Sequence, residues 1–159
     1  LLSSHFDIAI HCGPLPDVSF YYEQIGTWKK MLCAAPHYLK NNRCPKDIHE
    51  LTQHHCLDHA DNHSVCWPLM ADGKLQNIPV NSQIKINSSL VLKELAIQGL
   101  GIAYLPSFTI SDAIAAHKLQ PILQKSWPDP LPINVLYPLR KRSNKKITII
   151  IEALRNLFK

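Results

Sequence analysis

The sequence predicts an α/β fold organised as two lobes, and three observations predict it. First, the stretch Asn87 to Pro106, NSSLVLKELAIQGLGIAYLP, reads as cap, helix, glycine turn, buried strand and proline stop. With Gln83 to Ile86 as a strand before it, the helix leaves no room for a tight hairpin, so a strand–helix–strand crossover above a parallel sheet is expected. Second, the chain breaks near Gly26-Thr27 and again across Trp127 to Pro132, leaving 27–131 as a self-contained α/β run. Third, the flanking pieces, 1–26 and 132–159, each supply strands, and the last adds a helix. Those two pieces are expected to combine as one lobe, hinged to the lobe formed by 27–131, with a cleft between them.

The elements follow in order from local chemistry. Phe6 to Ile10 is a short apolar strand, ended by Gly13 and the prolines of GPLPD. Phe20 to Ile25 is extended, with Gly26 as a break. Lys30 to Ala34 is a strand, and Pro36 opens a short helix, PHYLKNN, with proline tolerated in its first turn. A second short helix begins at Pro45, capped by Asp47 with Glu50 three residues on, and runs to Leu51. His55 to Asp58 is a strand, and Asp61 to Ser64 a polar loop. Cys66 to Met70 and Gln76 to Val80 flank Ala71-Asp72-Gly73, and Asp-Gly is a hairpin signal.

In the central stretch, Asn87, Ser88 and Ser89 offer short polar caps for the first turn of the helix. Val91 with Leu95, and Leu92 with Ala96, make one face apolar. Gly99 suits the left-handed position past the end. Ser107 to His117 has helical spacing through Phe108, Ile110 and Ile114, and Leu119 to Leu123 is a strand. Three prolines make Trp127 to Pro132 a rigid linker. Ile133 to Tyr137 is a strand. Ser143 to Lys159 is a helix capped by Ser143 or Asn144, with a stripe of Ile147, Ile151, Leu154 and Phe158, widened by Ile150 and Leu157.

Composition narrows the functions open to such a chain. Apolar residues make up 46% of its 159 positions, enough for a core without disulfides. No apolar run reaches membrane-spanning length, and the opening LLSSHFDIAI lacks the basic segment of a secretory signal. Five irregularly spaced cysteines argue for a reducing compartment, hence the cytoplasm. The formal charge is +5, part of it in Arg140, Lys141, Arg142, Lys145 and Lys146. With no aromatics interleaved, that run reads as a solvated loop rather than a nucleic-acid surface. No Gly-x-Ser-x-Gly elbow and no phosphate loop occurs, so catalysis has no motif behind it.

The order and spacing of several segments resemble a known family. DIAI at 7–10 with Gly13, MLCAAPHYL at 31–39, DIHEL at 47–51 before HCL at 55–57, the 87–106 stretch, KLQPIL at 118–123 and VLYP at 135–138 together resemble the effector-binding region of LysR-type transcriptional regulators. The resemblance implies a two-lobed fold similar to type 2 periplasmic binding proteins, with a small-molecule effector between the lobes and no cofactor. It also implies a homodimer or tetramer that holds promoter DNA through an N-terminal helix-turn-helix. That segment and the opening elements of the first lobe are not found here, so the chain is expected to be a fragment with an incomplete first lobe. A solute-binding protein or small-substrate enzyme on the same fold is the alternative.

By the same resemblance, effector contacts are expected from His11 and Cys12, from Ala35 and Pro36, from a wall including Ser64 and Trp67, from a floor of Asn87, Ser88 and Ser89, and from Pro106, Ser107 and Phe108. Free N–H groups at Ser88 and Ser89 would independently attract an anion. Two readings stay open for His11, an acidic-effector contact or a structural histidine, and two for Trp67, wall or core. Cys56, His59, His63 and Cys66 have donor types and spacing that suit zinc. Against it, Cys56 lies in a strand, where neighbours alternate faces, and the resemblance requires no metal.

Overall fold

The computed structural model describes residues 7–15, 20–60, 65–139 and 144–157. Along the chain run β1 (Ala9–Cys12), β2 (Tyr21–Trp28), β3 (Lys30–Ala34), α1 (Pro36–Asn42), a 3-10 turn (His49–Gln53), β4 (Cys56–His59), β5 (Cys66–Ala71) and β6 (Lys74–Pro79). There follow β7 (Ser82–Ile86), α2 (Ser89–Ile97), β8 (Ile102–Pro106), α3 (Ser107–Ala115), β9 (Gln120–Pro121), β10 (Leu131–Tyr137) and α4 (Lys145–Leu157). Two compact units divide them: Lys29–Asp129 is one, and the segments on either side form the other.

The Lys29–Asp129 unit is a five-stranded sheet in the order β7-β4-β8-β3-β9. β4 is parallel to both β7 and β8, so β7–α2–β8 is the expected crossover, passing over β4. The sheet is mixed rather than parallel, because β3 runs antiparallel to β8 and β9 antiparallel to β3. Alternation along the strands splits the core in two. Leu32, Cys56, Ile102 and Tyr104 face Tyr38 and Leu39 of α1, Leu51, and Trp67 and Leu69 of the β5–β6 hairpin. Cys33, Leu57, Ala103 and Leu105 face Leu92 and Ala96 of α2 and Ile110 and Ala113 of α3. Both faces being covered explains why β8 is an unbroken apolar run.

Local chemistry sets the ends of these elements. Ser88 caps α2, its Oγ accepting from Val91 N–H at 3.5 Å. Gly99 (φ 78°) closes it: Leu100 N–H donates to Leu95 O at 3.1 Å and Gly99 N–H to Ala96 O at 3.0 Å. The β5–β6 turn has positive φ at both Asp72 and Gly73, the two-residue hairpin geometry that Asp-Gly favours. Asp47 Oδ1 accepts from His49 N–H at 2.8 Å, and Glu50 Oε2 accepts from Lys46 N–H at 2.8 Å. The helix they open is only the 3-10 turn, shorter and later than the span from Pro45 to Leu51.

The flanking unit is an antiparallel sheet in the order β1-β10-β2. Ile25, Ile133, Val135 and Tyr137 pack with Ile147 and Ile151 of α4. Glu23 ties sheet to helix, accepting from Tyr137 Oη at 2.6 Å and from Arg155 at 2.8 Å. Asn144 caps α4, its Oδ1 accepting from Lys146 N–H at 3.0 Å.

Four further expectations are corrected. Gly26 does not break β2; the ladder shifts where Ile133 pairs with Gly26 and Asn134 with Gln24, so Ile25 is the extra residue of a bulge, a place where glycine is at home. The strand at Leu119 to Leu123 shrinks to β9, since Leu123 turns left-handed at φ 49°. The proline linker is shorter, because β10 takes in Leu131 and Pro132. Ile150 and Leu157 do not widen the α4 stripe; they are 43% and 76% exposed. Ser143, Phe158, Phe6 and the Asp61–Ser64 loop lie outside the described residues, as do Arg140, Lys141 and Arg142.

Candidate functional site

Three parallel strands of the Lys29–Asp129 unit, β4, β7 and β8, end at one edge of its sheet, at His59, Ile86 and Pro106. Helices start there at once: α2 after its Ser88 cap, and α3 directly at Ser107. β3 begins at the same edge, with Lys30 opposite Pro106. Ser107 fastens the two, donating its N–H to Lys29 O at 2.8 Å and accepting from Lys29 N–H on Oγ at 3.4 Å. Asn87, Ser88, Ser89, Pro106, Ser107 and Phe108 therefore share one edge. Asn87 is exposed, Ser88, Ser89, Pro106 and Ser107 are half-buried, and the Phe108 ring is 53% exposed. Two helix N-termini and exposed apolar surface together suit a small ligand with a polar or anionic group.

Ala35 and Pro36 do not join this group. Because β3 is antiparallel to β8, its end lies at the opposite edge, beside the C-terminus of α2, where His37 Nε2 meets Gln98 O at 3.3 Å. Strand direction leaves no trace in the local sequence, so no signal there could have separated them.

Trp67 lies in β5 and is 2% exposed. Its indole N–H donates to Asp58 Oδ1 at 3.0 Å, and its ring stands 5.5 Å from that of Tyr104. The Tyr104 hydroxyl donates to Pro68 O at 2.9 Å. Asp58 is buried, and the same Oδ1 accepts from His59 N–H at 2.9 Å.

Sequence reasoning missed two lysines. Lys30 shares the sheet face of Tyr104 and places its Nζ 5.3 Å from the ring centre. Lys29 places its Nζ 5.0 Å from the Trp127 ring centre. Burial lowers the Lys30 ammonium from its ordinary value, and the Asp58 charge opposes that shift. Their position at the start of a strand was legible, but not the aromatic faces that register brings beneath them.

The model of the LysR substrate binding domain matches residues 1–159. The chain belongs to that family. An uncharacterized HTH-type transcriptional regulator of Haemophilus influenzae is 32% identical over 149 residues, 93% of this chain and 52% of the relative. The HTH-type transcriptional activator AaeR of Escherichia coli is 25% identical over 159 residues, 99% of this chain and 52% of the relative. Among solved structures, CrgA of Neisseria meningitidis matches with TM-score 0.84 and 26% identity, covering 96% of this chain and 53% of that one. The CrgA regulatory domain matches with TM-score 0.82 and 24% identity, covering 96% and 76%. The fold is thus that of LysR regulatory domains, which is periplasmic-binding-protein-like, and the family is one of transcriptional regulators, not enzymes. The chain spans about half the length of the curated relatives it matches.

In this LysR-family domain the remaining candidates are taken one by one. His11 and Cys12 belong to β1 of the flanking unit; His11 Nε2 meets Pro14 O at 2.9 Å, and the exposed Cys12 thiol is raised by partial burial. Ser64 and the zinc candidate His63 lie outside the described residues. Cys56 is buried, with its thiol pushed up to about 12 and donating to Leu51 O at 3.6 Å. Among the described residues no three His, Cys, Asp or Glu side chains gather as metal donors. Among them, too, no helix is long and apolar enough to cross a membrane.

Proposed function

We propose that this chain is the effector-binding region of a cytoplasmic LysR-type regulator, and that a small molecule docks at the edge formed by Asn87, Ser88, Ser89, Pro106, Ser107 and Phe108. The observation that carries this reading is the convergence of two helix N-termini, α2 and α3, on one sheet edge beside an exposed aromatic ring. We further assign Lys29–Asp129 and the flanking unit to the two lobes of the family fold, on the compactness of each. His11 and Cys12 are the contacts the flanking lobe offers; Trp67 supports the site from beneath through Asp58. The complete regulator works as a homodimer or tetramer, and its helix-turn-helix segment holds promoter DNA.

A thermal-shift screen of metabolites, followed by promoter gel shifts with the complete regulator, tests this. The expected result is a compound that raises the melting temperature, alters DNA retention, and loses its effect in Ser88→Ala/Ser107→Ala. A compound that regulates DNA binding yet is indifferent to that double substitution contradicts the placement of the site. DNA binding that no metabolite alters contradicts the sensing role.

A further inference from the structure

We propose that the start of β3 is an anion anchor, in which Lys30, with Lys29 beside it, receives the carboxylate of a small organic monoanion. The inference rests on the effector-binding reading and names the chemical class of its ligand.

Three observations carry it. Both ammonium groups are held over aromatic faces, Lys30 on Tyr104 and Lys29 on Trp127, and neither makes an ion pair or side-chain hydrogen bond with a described residue. A ring face attracts a cation without consuming its N–H donors, so those donors remain for a ligand. The anchor also lies at the candidate edge: Lys30 pairs with Pro106 across the ladder, and the Lys29 backbone is tied to Ser107. Finally, the charge selects the ligand. Asp58 lies on the same sheet face and within electrostatic reach of Lys30, and its carboxylate offsets one of the two ammoniums. Among Lys29, Lys30 and Asp58 one positive charge is left over, which matches a monocarboxylate better than a phosphate dianion. Lys30 makes this contact as a point charge, with half-buried Pro106 beside it for the apolar body of the acid.

Amide chemical-shift titration of the chain with butanoate, its neutral isostere butanamide and inorganic phosphate tests the proposal. Butanoate should shift the Lys30 and Ser107 amides and bind about tenfold or more tightly than butanamide, the scale of a charge-assisted hydrogen bond. Lys30→Met should remove that preference and Lys30→Arg should keep most of it. Equal binding of acid and amide, no shift at Lys30, or a preference for phosphate overturns the proposal. The acid-versus-amide comparison needs only the wild-type chain, so a poorly folded Lys30→Met does not remove the test. A metabolite that binds wild type and Lys30→Met alike overturns the anchor alone; the sensing role stands or falls on the promoter assay.

Discussion

Trp67→Phe removes one bond whose worth the structure allows to be estimated. The indole N–H donates to Oδ1 of Asp58, as does His59 N–H, and that carboxylate is only 4% exposed. A hydrogen bond to a charged group is worth about 1.5–3 kcal/mol, and the space left by the smaller ring adds about 1 kcal/mol. The expected loss is therefore about 2.5–4 kcal/mol, or a melting temperature lower by roughly 5–15 °C for a chain of this length. Urea unfolding followed by circular dichroism measures it. A double-mutant cycle with Asp58→Asn isolates the bond: coupling should exceed about 1 kcal/mol, because the neutral amide forms a weaker acceptor. Coupling of less than about 0.4 kcal/mol, the usual scatter for independent sites, would refute the assignment of Trp67 as the support of Asp58.

Other changes read other parts of the structure. Gly99→Ala places a Cβ in left-handed backbone and against the His37 ring; it should destabilise by about 1–2 kcal/mol, and an unchanged urea midpoint would contradict the α2 terminus described. Burial pushes Cys33 and Cys56 up to about 12, so at pH 8 a thiol reagent should modify exposed Cys12 and Cys44 and reach Cys33 and Cys56 only after unfolding. Those two folded values lie above the ordinary 9.0, so the folded state holds more protons and stability should fall as pH rises from about 9 toward about 12. His54 has the opposite sense. Tyr38 Oη accepts from His55 N–H at 3.2 Å, leaving its own proton for His54 Nδ1 at 3.2 Å, and burial lowers the ring's pKa from the ordinary 6.5. Its stabilisation is present above about 6.5 and is lost as pH falls from there toward the depressed folded value; a pH–stability curve unchanged by His54→Gln would contradict it.

How much was legible depended on whether the information was local. The Ser88 cap, the Gly99 terminus, the Asp72-Gly73 hairpin and Pro36 as a helix start were readable because each solves a problem within a few residues of chain. Gly26 misled because a glycine that breaks a strand and one that sits at a bulge look alike until the partner strand is known. The stripe of α4 is narrower than its periodicity suggests, because periodicity cannot tell how much of the face β2 and β10 cover. The candidate edge was half legible: Asn87 to Ser89 and Pro106 to Phe108 each follow a strand end. The separation of Ala35 and Pro36, and the rings under Lys29 and Lys30, depend on the antiparallel register of β3 against β8.

In the proposed function the ligand docks where β8 and β7 end and β3 begins. Amide chemical-shift mapping with a metabolite that raises the melting temperature tests it most directly. Ser88, Ser89, Ser107 and Lys30 should move together while His37 and Gly99 stay still. Perturbations centred on His37 and Gly99, with Ser88 and Ser107 unmoved, would contradict it.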